Sequence, residues 1–187
     1  RTLLVFPSHG IIGVTATFNN DEFIEEIERV RKDFDTVLIS LYWTDVLKPD
    51  LVASYEALGY KIVTSGHRFD LNFLSRQRSF IELADYTMSN NLGTHVGYCI
   101  HLNKPHYIFQ QRVFYDAKDQ KTQKHLSDAS NQDNNLTYEW ELKEICEAFN
   151  QYEIDITEKQ REIVEEYWGE SYIRTPEELR NLLRYSK

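Results

Sequence analysis

Apolar residues follow two alternating rhythms along the first two-thirds of the chain. Short, nearly unbroken runs occur at Leu3–Phe6, Val37–Leu41, Lys61–Thr64, Tyr86–Met88 and His106–Phe109. Runs without polar alternation predict strands buried on both faces. Between them the spacing turns helical. Asn20 or Asp21 caps a helix carrying Phe23, Ile24, Ile27 and Val30 on one face, and further helices are predicted over Asp50–Leu58, Leu71–Ala84 and Gly93–Leu102. Gly59 stops the second of these. Later helices are predicted over Tyr138–Asn150, Thr157–Trp168 and Pro176–Arg184. Thr157 and Gln160 stand at capping-box spacing, and Pro176 suits a first helical turn.

Strands alternating with helices predict an α/β fold, a doubly wound parallel sheet of Rossmann-like class followed by a helical carboxyl-terminal tail. In such sheets ligands bind beyond the carboxyl ends of the strands, where the winding direction switches. Four loops would meet there: Ser8–Thr17, Tyr42–Asp45, Ser65–Asp70 and Ser89–His95.

Charge sharpens that placement. The 187 residues carry a net charge of −9, yet Asp45 and Asp70 are the sole acids in these loops. Near-neutral loops on an acidic protein suit an anionic ligand. The acidic balance argues against duplex nucleic acid as the partner. Residues 111–187, with 17 acids against 11 Lys and Arg, form the more acidic part. Lys118–Asn135 is almost devoid of apolar residues and reads as a long polar loop. Apolar runs of about five residues fall far short of the roughly 20 needed to span a bilayer. Two cysteines fit a reducing compartment, so a cytoplasmic location is expected. A first residue of Arg raises the expectation of a piece of a longer protein.

The richest stretch is Glu82–Phe109. A strand ends in Ser89-Asn90-Asn91, and Gly93-Thr94 opens a helix ahead of His95. Free amides there suit a phosphate, Ser89 and Thr94 offer hydroxyls, and Gly93 allows close approach. The same turn would serve equally to cap a helix. His9, in Pro7-Ser8-His9-Gly10, is placed to donate to a phosphate or sugar hydroxyl, or to bond its own backbone. Ser65-Gly66-His67-Arg68 offers a backbone edge for a base and a guanidinium for phosphate, or is a polar turn. Tyr42 and Trp43 offer rings for stacking or a half-buried pair. Gly10 and Gly13 do not make a dinucleotide fingerprint, and no metal-ligand spacing is present.

On these residues, Asp85–Thr94 followed by Leu102-Asn103-Lys104-Pro105 resembles the donor-binding half of GT-B glycosyltransferases, and the opening Val5–Gly10 looks like the first strand and loop of that half. More narrowly, the chain resembles bacterial capsule and surface-polysaccharide biosynthesis proteins. The resemblance implies a nucleotide-sugar-binding unit over residues 1–115, a polar loop over 116–136 and a helical tail over 137–187 packed on the same unit. It implies Ser8, Gly10, Gly66, His67, Arg68, Ser89, Asn90, Gly93, Thr94 and His95 as donor-binding residues and His9 as catalytic, with no metal or other cofactor.

Its implied partners are a nucleotide-sugar donor, a saccharide acceptor and an amino-terminal acceptor domain, with peripheral membrane association of the full-length protein compatible with that class. The donor-binding part alone would transfer poorly. Two departures stand out: His95–Leu102 lacks the glutamate many such enzymes use on the ribose, and the histidine loop reads Pro-Ser-His-Gly. Two rivals are a sugar-nucleotide epimerase, which would need Asp45 and Asp70 in the cleft, and a non-catalytic scaffold domain working through Glu162, Glu165, Glu166 and Glu170.

Overall fold

A computed structural model describes residues 1–124 and 135–185. Five parallel strands make the main sheet: β1 (Thr2–Phe6), β3 (Thr36–Ser40), β4 (Lys61–Val63), β5 (Tyr86–Ser89) and β6 (His106–Ile108), in the spatial order β4-β3-β1-β5-β6. All five predicted runs are strands of this sheet. Two further strands, β2 (Val14–Thr17) and β7 (Phe114–Ala117), pair antiparallel as a separate ribbon. The ribbon departs from the expected loop at Ser8–Thr17. Its partners lie a hundred residues apart, and both strands are largely exposed, so local patterning does not reveal them.

Side-chain alternation along the strands assigns the helices to two faces. Leu3, Val5, Val37, Ile39, Tyr86 and Met88 pack against α1 (Asn20–Val30) through Phe23, Ile27 and Val30, and against Tyr55 of α2 (Pro49–Glu56). Leu4 and Phe6 point the other way, onto Ile81 of α3 (Phe73–Leu83) and Cys99 of α4 (His95–His101). A further cluster joins Val96 and Ile100 of α4, Ile108 of β6, Ile145 and Phe149 of α5 (Asn135–Phe149), and Ile163 and Val164 of α6 (Glu158–Trp168). Burying such faces is the main stabilising term in a fold of this kind. The last helix, α7 (Pro176–Tyr185), leaves Leu179 and Leu182 exposed.

Local chemistry sets the boundaries. The cap of α1 is Asn19, one residue before the expected position: its side chain accepts the Glu22 N–H at 3.2 Å. Thr157 and Gln160 form the full reciprocal capping box of α6. The helix expected over Gly93–Leu102 contracts to the seven residues of α4. Part of the expected polar loop is ordered differently. Residues 120–124 are helical, started by Asp119, whose carboxylate accepts the Thr122 N–H at 2.8 Å. Residues 125–134 of that loop lie outside the described residues. No helix among the described residues is long and apolar enough to cross a membrane.

α4 and α6 meet at Gly97, where a Cβ would stand 2.3 Å from Trp168 Cδ1. Glycine inside a helix is ordinarily about 1 kcal/mol worse than alanine. Here the close approach reverses the sign, because overpacking a filled contact costs roughly 1–3 kcal/mol. Gly97→Ala is expected to lower Tm by roughly 2–10 °C in a thermal melt. A higher Tm would show that the Trp168 ring has room to retreat.

Candidate functional site

β1 and β5 are neighbours in the sheet, but the chain leaves them in opposite directions, β1 toward β3 and β5 toward β6. Beyond their carboxyl ends lies a cleft of about 340 Å³. Its walls include Ser8 and His9 after β1, Tyr42 after β3, Ser65 and Gly66 after β4, and Gly93, Thr94 and His95 after β5. Gln77 of α3 and Tyr115 of β7 complete it. No Asp, Glu, Lys or Arg is among the lining residues.

Two predicted ligand contacts sit behind the wall instead. Asn90 is fully buried: its Oδ1 accepts the Ser8 N–H at 2.7 Å, and its Nδ2 donates to Gln111 Oε1 at 3.1 Å. Its amide therefore clamps the loop after β1 to the loop after β5. Ser89 is equally buried and donates its hydroxyl to the Asn91 carbonyl at 2.8 Å. Its oxygen also faces His106 Nε2 at 3.0 Å. The hydroxyl expected to meet a phosphate is thus spent inside the protein. His106, across the strand pair, has Thr87 Oγ1 at 2.8 Å from its Nδ1.

The turn that follows does reach the cleft. Gly93 lies flat against His95: a Cβ there would stand 2.6 Å from His95 Cε1. Thr94 is exposed, and its hydroxyl caps nothing in α4. Among the described residues, the amides of Gly93, Thr94 and His95 find no backbone acceptor. With only seven residues, α4 adds little macrodipole, so what the turn offers is unpaired amides and a hydroxyl.

His95 stacks on Phe6 with ring centroids 4.6 Å apart, and its Nε2 is buried without a partner. Burial, reinforced by His9, lowers its pKa to about 3. Burial likewise holds His106 well below the ordinary histidine range, with His95 adding to the effect. Both rings are therefore neutral at physiological pH. His9 is exposed, stacks on Tyr42 at 4.4 Å, and faces the Gly10 carbonyl through Nδ1 at 2.7 Å. A carbonyl only accepts, so Nδ1–H donates to it, and in the neutral ring Nε2 is left as a hydrogen-bond acceptor. Tyr42 continues through Trp43 to His67 and Phe69 as a run of ring contacts along the cleft edge.

Of the predicted contacts, Ser8, His9, Gly66, Gly93, Thr94 and His95 line one cleft. Gly10, His67, Arg68, Ser89 and Asn90 do not. Gly10 serves the ribbon, where the Val14 carbonyl oxygen would come within 2.0 Å of any Cβ. Arg68 is exposed with its guanidinium over Phe69. The guanidinium that organises this loop is Arg76, which donates to the Ser65 carbonyl and to Asp70. Sequence reading missed Arg76, His106, Gln77 and Tyr115. The last arrives through the ribbon, for which no local signal exists. Asp45 pairs with Lys48 and Asp70 with Arg76, and neither carboxylate lines the cleft. Among the described residues no cluster of His, Cys, Asp or Glu is arranged to hold a metal. No protein-family model, curated protein or solved structure matches the chain.

Two neutral histidines, His106 buried and His95 half-buried with its Nε2 enclosed, set an acid dependence. Each has a folded pKa below its unfolded value near 6.5, so the unfolded chain binds the extra protons. Their contribution is complete above pH 6.5 and fades as pH falls below it. Urea denaturation between pH 6.5 and 5 is expected to show stability falling by up to about 1.4 kcal/mol per pH unit for each ring. His95→Phe should remove about half of that slope. An unchanged slope would mean that His95 is protonated in the folded protein.

Proposed function

We propose that this chain is the donor-binding domain of a GT-B glycosyltransferase of bacterial surface-polysaccharide assembly, and that the cleft beyond β1 and β5 holds the nucleotide sugar. The observation that carries the reading is the convergence of the His9 loop, the Ser65-Gly66 loop and the Gly93–His95 turn on one cleft at the switch point of a parallel sheet. The sequence resemblance rests on two of these segments, Val5–Gly10 and Asp85–Thr94.

The chemistry follows from the wall. An acceptor hydroxyl oxygen bonds to the anomeric carbon of the donor, and the bond from that carbon to the phosphate oxygen breaks. The electron pair leaves with the phosphate, and the hydroxyl proton passes to a base. The wall carries no carboxylate, which leaves the base for that last step to the acceptor side or to the His9 imidazole. What this domain contributes is stabilisation of the leaving phosphate. Unpaired amides at Gly93–His95 and the Thr94 hydroxyl are donors already in place as charge develops. The Tyr42 ring, already stacked on His9, offers a face to a base or sugar.

The epimerase reading loses its carboxylates, since Asp45 and Asp70 are paired away from the cleft. The scaffold reading draws on one observation, the leucines that α7 exposes. The acidic residues offered for it are partly occupied: Glu165 accepts the Ser171 N–H, and Glu170 faces His101. A thermal-shift panel of uridine, guanosine and cytidine 5′-mono- and diphosphates separates the two. Stabilisation by one nucleotide supports the donor site; none supports the scaffold. In titrations with the stabilising nucleotide, Thr94→Ala is expected to weaken binding about 3- to 10-fold, the worth of one hydrogen bond. Equal affinity would remove Thr94 from the site.

A further inference from the structure

His106 lies behind the cleft without lining it, its ring 5.4 Å from that of His95 in the wall. Its surroundings nevertheless decide how the cleft turn is held. Thr87 and His106 are register partners on adjacent parallel strands, and Ser89 lies two residues further along the same face. Four hydrogen-bond contacts run through the group: Thr87 Oγ1 to the Pro105 carbonyl, 2.9 Å, Thr87 Oγ1 to His106 Nδ1, 2.8 Å, Ser89 Oγ to His106 Nε2, 3.0 Å, and Ser89 Oγ to the Asn91 carbonyl, 2.8 Å.

A neutral ring supplies one proton and the two hydroxyls one each, so three protons must serve four contacts. One contact has to go without. The Pro105 carbonyl already accepts the Thr87 backbone N–H at 2.9 Å and stays satisfied if the hydroxyl turns away. The Asn91 carbonyl, on a half-buried residue, has no second protein donor among the described residues and would lose its one partner if Ser89 turned away. Cys99 also contacts the Thr87 hydroxyl, but at Ser89 the choice of tautomer is settled by the Asn91 carbonyl. Thr87 donates its hydroxyl proton to Nδ1, Nε2–H donates to Ser89, and Ser89 donates to the Asn91 carbonyl. In the opposite tautomer, Nε2 would accept from Ser89, and Asn91 would lose its donor.

We infer that His106 is a positioning residue: as the neutral Nε2–H tautomer it orients the Ser89 hydroxyl, which fixes Asn91 and with it the Gly93–His95 turn of the cleft. Asn91 stands two residues before that turn and itself lines the cleft. Its own side chain accepts the Leu92 N–H at 2.8 Å, so the carbonyl held by Ser89 and the amide that follows it are both pinned. The effect on ligand binding rests on the donor-site reading above; the effect on the turn does not.

Amide side chains divide the two ring nitrogens between them. In His106→Gln the side-chain NH₂ replaces Nε2–H, and in His106→Asn the shorter amide reaches Thr87 alone. Three measurements test the inference: imidazole ¹⁵N shifts of the wild-type ring, hydrogen exchange of the Leu92 and Val96 amides, which donate to Asn91 Oδ1 and to the Gly93 carbonyl, and titration with uridine 5′-diphosphate and cytidine 5′-monophosphate. The expected result is a ring protonated on Nε2 alone. His106→Gln should keep amide protection and affinity within about 2-fold of wild type. His106→Asn and Ser89→Ala should each lose about 5- to 10-fold in both. A ring protonated on Nδ1, or equal losses in His106→Gln and His106→Asn, would overturn the inference. If wild type binds neither nucleotide, the donor-site reading fails, and the exchange data still decide whether His106 positions the turn. If the His106 variants do not fold, the ring shifts and Ser89→Ala decide it alone.

Discussion

One hydrogen bond, from the Ser8 amide to the buried side chain of Asn90, governs the working end of this molecule. A doubly wound sheet must part at its centre, because the chain leaves the two middle strands toward opposite edges. The parting leaves backbone donors with no neighbouring strand to take them. Asn90 answers that need from the interior. It accepts from one loop and donates to Gln111, and its own carbonyl takes the Gln111 amide. The loops that follow β1 and β5 are thereby tied together at the foot of the cleft.

Electrostatics complements this geometry. The chain is strongly acidic, yet the cleft wall is assembled from hydroxyls, amides, aromatic rings and two histidines. The nearby carboxylates of Asp45 and Asp70 are matched to Lys48 and Arg76. The paired carboxylates leave little net charge beside a wall whose polarity comes from dipoles rather than full charges. Such dipoles bind weakly in water and far better where solvent is excluded.

Much of the architecture was legible before any coordinates. Leu3–Phe6 and Val37–Leu41 are so uniformly apolar that only strands covered on both faces can accommodate them, and the sheet follows. The location of the cleft follows in turn from strand order. What stayed hidden depends on contacts between distant residues. The β2–β7 ribbon joins Val14 to Ala117, with exposed side chains that carry no period. Ser89 and Asn90 have the composition of ligand-binding residues, and the same polar atoms are equally suited to tying loops together. Only burial distinguishes the two uses, and burial is a property of the folded chain. Arg68 and Arg76 are alike in sequence; α3 turns one toward Asp70 and leaves the other in solvent.

The ribbon has a consequence for traffic through the cleft. Tyr115 reaches the wall from β7, and β7 pairs with β2 in a two-stranded ladder lying apart from the main sheet. Two-stranded ladders are marginal on their own, and the least protected elements of a fold are the first to open. Fraying there would widen the entrance while β1, β5 and the Asn90 clamp stay in place. Entry and departure of a bound molecule would then be set by a small hinged flap, with the rigid floor left undisturbed.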